Sequence, residues 1–477
     1  MGRWLRGGLW GGSGSLEAAE GHEREGQSGA APVIVWLYGG ALLTGSKDSP
    51  GNEGRAYAQR GVVFVSCNYR VGALGFLHPE GGDANCGLWD QVSALEWVRR
   101  EISAFGGDPG SVTVMGESAG ADSVCWLCCS PVANKLFQQA IIQSPSSFAM
   151  TLEQGREVTE EFARVVGADS TSLAAMQELN TWQILLAQLR GRFRINPTTG
   201  PGWRLLTTTD GESFLPEFAP APDPTPHGLF RFPPGREPQG WIMPVAVIDG
   251  ELLVEQPLDA LAHGAAAHLR IVVGGNRDEC AYSQKPGSFG TRVPDGAGLG
   301  AVAARLAWEI AGAPLMARAP PGLLRGRVES LLADYESERA ADVFGLGPSG
   351  NAATREQWFQ DTVSSDFSFL AAVHLASERL ATPKGSAAVY RYQFDGFGGR
   401  GDAFHAAELG LMLGEGSREA PETQRAVRNA WLDSWAAFAR TGDPSTAAMG
   451  GAWRPHSDAD RPVALWDGER GCRAAAA

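Results

Sequence analysis

Residues 111–120, Ser-Val-Thr-Val-Met-Gly-Glu-Ser-Ala-Gly, constrain this chain more than any other stretch. Val112, Thr113, Val114 and Met115 are apolar or β-branched and read as a short buried strand. That strand runs straight into Gly116-Glu117-Ser118-Ala119-Gly120, and residues 121–127 then read as helix. Turning a strand sharply into a helix strains the central serine, and side chains at the flanking glycines would collide across the turn. In this context G-x-S-x-G reads as a nucleophile elbow presenting Ser118. The bland alternative is a tight strand-to-helix turn with a solvent-facing serine.

The flanking pattern sets the fold class. Residues 31–38 form a continuous apolar run of strand length, followed by Gly39-Gly40-Ala41-Leu42, a loop whose backbone can approach a ligand closely. Residues 61–67 make a second buried strand. Leu88, Val92, Leu95, Val98 and Ile102 have helical spacing over 88–105, ending at Gly106-Gly107-Asp108-Pro109, a C-cap and turn. Further strands are expected at 140–144, 243–248, 269–274 and 388–394. Helices are expected at 152–167, 172–190, 299–310, 322–335, 354–380 and 424–440, the first two forming a lid region. Strands without polar alternation, separated by helices, indicate an α/β fold: a mostly parallel central sheet with helices on both faces. Prolines crowd residues 216–238, which read as a long loop or insertion. The expected organisation is a disordered leader over 1–30 and one domain over 31–477, its lid and insertion spanning roughly 150–240.

Composition excludes several classes. A hydrophobic content of 43% over 477 residues suits a globular chain with a substantial core. A net charge of −14 argues against nucleic acid or an anionic membrane as main partner. No apolar run reaches membrane-spanning length. The seven cysteines are odd in number and several lie in apolar runs, which suits reduced thiols. Cys125-x-x-Cys128 has no second ligand pair, so metal use is not expected. Gly345-x-Gly347-x-x-Gly350 lacks a preceding strand and contains a proline, so no dinucleotide site is expected. The first thirty residues lack a signal-peptide apolar core, and no glycosylation acceptor is present; a cytoplasmic location is expected unless a leader is missing.

A serine hydroxyl is a poor nucleophile until a base takes its proton and an acid orients that base. On a sheet of this kind the order along the chain is serine, acid, histidine, each after a strand. His405 follows the 388–394 strand across a glycine-rich loop, where the base belongs; His456 lies in a polar tail and reads as solvated. The loop after 269–274 offers Asp278 and Glu279, which position alone does not separate. The remaining need is backbone N–H groups facing the developing oxyanion, each contributing about 10²–10³ in rate. Ala119 supplies one, and Gly39-Gly40-Ala41 is the loop for the others.

From Pro32 onward the chain resembles the type-B carboxylesterase family, which also holds the cholinesterases and has the α/β-hydrolase fold. The ordered matches are Val35-Trp-Leu-Tyr-Gly-Gly-Ala-Leu-Leu-Thr-Gly-Ser46, Asn68-Tyr-Arg-Val-Gly-Ala-Leu-Gly-Phe76 and Asn85-Cys-Gly-Leu-Trp-Asp-Gln91. Phe105-Gly-Gly-Asp-Pro109, Gly116–Gly120, Gly275-Asn-Arg-Asp-Glu279, His405-Ala-Ala-Glu-Leu409 and Phe438-Ala-Arg-Thr-Gly-Asp-Pro444 complete them. The resemblance implies Ser118 as nucleophile, His405 as base and Glu279 as acid. It implies Gly40, Ala41 and Ala119 as oxyanion donors, with Ser144 and Glu117 as supporting residues. It also implies small-molecule ester substrates and no metal or organic cofactor. The chain departs from the family in lacking the longer segment before the oxyanion loop, and with it the aromatic residue that cholinesterases use for choline; an uncovered sheet edge is expected. Pro145 replaces the usual glycine, Cys86 and Cys280 stand at positions usually filled otherwise, and Asp210-Gly211 and Asp249-Gly250 both echo one family motif. The alternatives are a catalytically silent binding module, like the adhesion proteins sharing this fold, or an inactive truncated form.

Overall fold

The computed structural model describes residues 29–49, 52–146, 149–190, 245–284, 369–381, 388–397, 402–413, 421–449, 452–457, 461–467 and 471–476. Among them ten strands follow one another along the chain. They are β1 (Ala31–Leu37), β2 (Val63–Ser66), β3 (Gly107–Glu117), β4 (Gln139–Gln143), β5 (Met150–Thr151) and β6 (Val247–Ile248). β7 (Arg270–Asn276), β8 (Val389–Gly396), β9 (Pro462–Asp467) and β10 (Gly471–Ala476) complete the set. Eight form the central sheet in the order β10-β9-β8-β7-β4-β3-β1-β2, while β5 and β6 pair separately. Every central pairing is parallel except β9 with β10, which is antiparallel.

The apolar runs are continuous because both faces of the sheet are covered. Val33, Val35, Leu37, Val112, Val114, Ala140, Ile142, Ile271 and Val273 point to one face, against helices Cys86–Glu101 and Ala119–Cys129. Ile34, Trp36, Met115, Ile141 and Val272 point to the other, toward helix Glu422–Thr441. On that second face Trp431, Trp435, Trp453 and Trp466 pack together, with Tyr392 meeting Trp431 and Trp435 edge-on at 5.5 Å. At the far edge of the described sheet, all four residues of β2 are half-buried, so this edge is only partly covered.

Several local expectations change. The stretch 172–190 is two helices, Leu173–Gln177 and Thr181–Arg190. Asn180 starts the second: its Oδ1 accepts from the Gln183 N–H at 3.0 Å, and Gln183 Oε1 accepts from the Asn180 N–H at 2.9 Å. This reciprocal cap sets a new N-terminus where periodicity alone reads straight through. Gly106 is left-handed, as a C-cap requires, but Gly107–Gly110 belong to β3 rather than to a turn, because β1 pairs with Gly107. His456 is buried, not solvated: its N–H donates to Val389 O at 2.6 Å and its Nε2 lies 3.1 Å from Glu378 Oε1. β9, which pairs along β8, draws this segment against the sheet; neither β9 nor β10 is expected from sequence. Residues 216–238, 299–310, 322–335 and 345–350, and 354–368 of the expected last long central helix, lie outside the described residues.

The aromatic cluster generates a stability prediction. Trp431 is fully buried among Tyr392, Phe394, Trp435 and Trp466. Trp431→Ala is expected to cost about 3–5 kcal/mol in urea unfolding, through lost burial plus the cavity left behind.

Candidate active site

The expected site residues emerge at one edge of the sheet. The loop after β1 carries Gly39–Ala41, β3 ends beside Ser118, and β4 ends beside Ser144. Glu279 follows β7, and His405 follows β8. These five strands are neighbours in the sheet, so their carboxyl ends converge where open α/β sheets form binding crevices.

Ser118 stands at φ 58°, ψ −127° as the N-cap residue between β3 and helix Ala119–Cys129, and its carbonyl accepts from the Asp122 N–H at 3.0 Å. A non-glycine held there costs on the order of 1–3 kcal/mol, which the surrounding packing sustains. Glycines make the turn possible. A Cβ on Gly116 would lie 2.5 Å from the Gly120 backbone, and one on Gly120 would lie 2.1 Å from Leu37 O. One on Gly39 would lie 2.7 Å from Glu117 O and 3.0 Å from Ser118 Cβ, so the loop after β1 presses directly on the elbow. That loop is itself bent: Gly40, Ala41 and Leu42 all have positive φ. Gly40 O accepts N–H bonds from Leu43 and Thr44, while Leu42 is buried and its carbonyl accepts from Gly72 N–H.

His405 Nδ1 lies 2.6 Å from Glu279 Oε2, and the His405 N–H donates to Glu279 O at 2.9 Å. The other Glu279 oxygen accepts from Ser144 Oγ at 2.5 Å and from the Asn276 N–H at 2.7 Å. Glu279 is wholly buried, and its neighbour Asp278 turns instead to Arg277, 2.9 Å away. Packing thus separates the two carboxylates that position left equivalent. Opposite, His405 Nε2 lies 3.2 Å from Glu117 Oε1.

Two partners escaped the sequence reading. Glu408 is buried, with its Oε2 accepting from Asn276 Nδ2 at 2.5 Å and its Oε1 3.4 Å from Gln143 Nε2. Its signal was an acidic residue three places after His405, between Ala406-Ala407 and Leu409. Phe369 lies against His405 with ring centroids 4.5 Å apart. No periodic pattern marks it.

The electrostatics follow from burial. Desolvation pushes the Glu117 carboxyl up to about 8, against the pull of His405. Desolvation likewise raises Glu408 to about 7, with the Glu279 charge adding to it. Burial alone would lower His405, but Glu117 and Glu279 outweigh it and hold the imidazole near 9. Glu117, Glu408 and His405 act on one another's charge, so a change at one shifts the others.

A family model described as "Carboxylesterase family" matches residues 20–471. The chain belongs to the carboxylesterase family. It is 30% identical to the para-nitrobenzyl esterase of Bacillus subtilis (strain 168), over 92% of this chain and 76% of that protein. It is also 30% identical to phenmedipham hydrolase of Pseudarthrobacter oxydans, over 94% of this chain and 77% of that protein. Among solved structures, a PNB esterase matches with a TM-score of 0.66 at 27% identity, covering 94% of this chain and 80% of the other. The carboxylesterase is therefore a serine hydrolase of the α/β-hydrolase fold that cleaves carboxylic esters. Among the described residues no helix is long and apolar enough to cross a membrane.

The buried protons carry a pH prediction. Folded Glu117 keeps its proton until about 8, whereas the unfolded chain releases it near the ordinary value of 4.5. Its stabilising contribution is thus full below about 4.5 and is lost as pH rises to about 8, with a slope of up to ~1.4 kcal/mol per pH unit. Urea midpoints measured across pH 5–9 are expected to fall less steeply in Glu117→Gln than in the parent enzyme.

Proposed function

We propose that the carboxylesterase hydrolyses small-molecule esters through an acyl-enzyme on Ser118. His405 takes the Ser118 hydroxyl proton as the oxygen attacks the ester carbonyl, and a C–O bond forms. Glu279 stays ionised, holds Nδ1–H and stabilises the imidazolium. The N–H groups of Gly40, Ala41 and Ala119 receive the oxyanion. Collapse breaks the ester C–O bond, and the alcohol leaves with the proton from His405. Water then gives its proton to His405 and attacks the acyl carbonyl; the carboxylic acid departs and Ser118 regains its hydrogen.

The observation that carries this reading is the buried Glu279 carboxylate. One oxygen lies 2.6 Å from His405 Nδ1, while the other is held by Ser144 and Asn276. An acid clamped on one side and bonded to an imidazole on the other orients a base. The strained Ser118 on the adjoining strand end supports the nucleophile assignment. The esterase relatives give no support to a silent binding module.

With p-nitrophenyl acetate, the parent enzyme is expected to show a burst of p-nitrophenol, and a phosphonofluoridate to label Ser118 stoichiometrically. Ser118→Ala is expected to lose the burst, the label and about 10⁴–10⁶-fold in kcat. Undiminished turnover in that variant overturns the assignment.

A further inference from the structure

His405 is held at Nδ1 by Glu279, while its Nε2 lies 3.2 Å from Glu117 Oε1 without a hydrogen bond. The bond at Nδ1 leaves the ring free to rock about it, and rocking swings the Nε2 lone pair off target. A flat partner on the ring face stops that motion. Phe369 supplies one, with centroids 4.5 Å apart and planes 32° apart, a tilted stack rather than an edge contact.

The residue sits where the backbone brings it deliberately close. Phe369 directly precedes Leu370, the N-cap of helix Ala371–Leu380. Leu370 reaches the same corner: a Cβ on Gly275 would lie 3.5 Å from Leu370 Cδ2 and 2.9 Å from Glu279 Oε1. Phe369 thus lies on His405, and Leu370 reaches the Gly275 backbone beside Glu279. The negative face of an aromatic ring attracts a cation within about 6 Å, most strongly where water is excluded.

We propose that Phe369 is a positioning residue for ester hydrolysis, its ring fixing the plane of the His405 imidazole and favouring the imidazolium that forms as Ser118 attacks. This rests on the Ser118 and His405 assignments above. The carboxyl groups acting on His405 are Glu117, Glu279 and Glu408, and all three remain when Phe369 is replaced. Phe369→Leu and Phe369→Met keep an apolar side chain and remove the ring face.

Both variants are expected to lose about tenfold in the alkaline plateau of kcat, with KM little changed. The acid limb of kcat/KM is expected to move to lower pH by about half a unit, because the imidazolium loses its support while the apolar cover stays. Phe369→Tyr restores the limb. The loss is the same for acetyl, butyryl and octanoyl p-nitrophenyl esters, since the imidazole takes part in every turnover. A loss confined to one acyl length assigns Phe369 to substrate contact and overturns the proposal, as does a wild-type plateau and limb in both variants. In the parent enzyme with labelled histidine, the His405 Cε1–H resonance is expected upfield from ring current; its absence overturns the stacking whatever the variants do. Phosphonate labelling separates this test from the previous one. Slower labelling, still at Ser118, speaks to Phe369, whereas labelling elsewhere sinks the acyl-enzyme reading itself.

Discussion

Three glycines let β1, β3 and the elbow helix meet at distances no side chain tolerates. Gly120 brings the helix against Leu37 O, Gly116 lets the turn close on itself, and Gly39 lets the next loop press on Ser118. The close approach matters because acyl transfer needs a hydroxyl and backbone N–H groups around one carbonyl. A methyl group at any of the three would push β1 away from β3 or open the elbow. The parallel register of β1 with β3, from Val33 opposite Val112 to Leu37 opposite Gly116, delivers both loops at the same height.

Around that contact the enzyme buries more ionisable groups than one reaction step requires. Glu117, Glu279, Glu408 and His405 form a single cluster under the strand ends, tied by Asn276 and Ser144. Burial makes the charged forms of Glu117 and Glu408 costly, so both keep protons that free carboxylates would shed. Glu279 differs from its neighbours in its partners: a hydroxyl, a backbone amide and an imidazole all bond to it. The same chemistry in the same small volume is thereby divided between an orienting acid and two proton-holding groups. Phe369 closes the arrangement from the apolar side.

A second polar cluster has a structural task. Glu378 on helix Ala371–Leu380 meets both His456 and Arg461, just ahead of β9. It ties the segment before β9 to helix Ala371–Leu380, which Phe369 and Leu370 directly precede, so the β9–β10 edge of the sheet and this corner of the site share one support.

Six of the eight central strands and the elbow were legible because they rest on local rules, whereas β9 and β10 were not. Apolar runs of strand length, helical spacing over 88–102 and glycines where the backbone must turn are readable one segment at a time. The resemblance extended this to Glu279, Ser144 and Glu117, which no periodicity identifies. The choice of Glu279 over Asp278 was not local: the two are adjacent and chemically alike, and only the fold buries one under Ser144 while turning the other to Arg277. In the sequence His456 reads as a polar-tail residue, Glu408 is only part of a matched segment and Phe369 falls within an expected helix. Each takes its meaning from a partner tens of residues away: Glu378, Asn276 and His405. Spacing along a chain reports which face a residue shares with its near neighbours; which distant side chain occupies that face is decided only when the sheet stacks its strands.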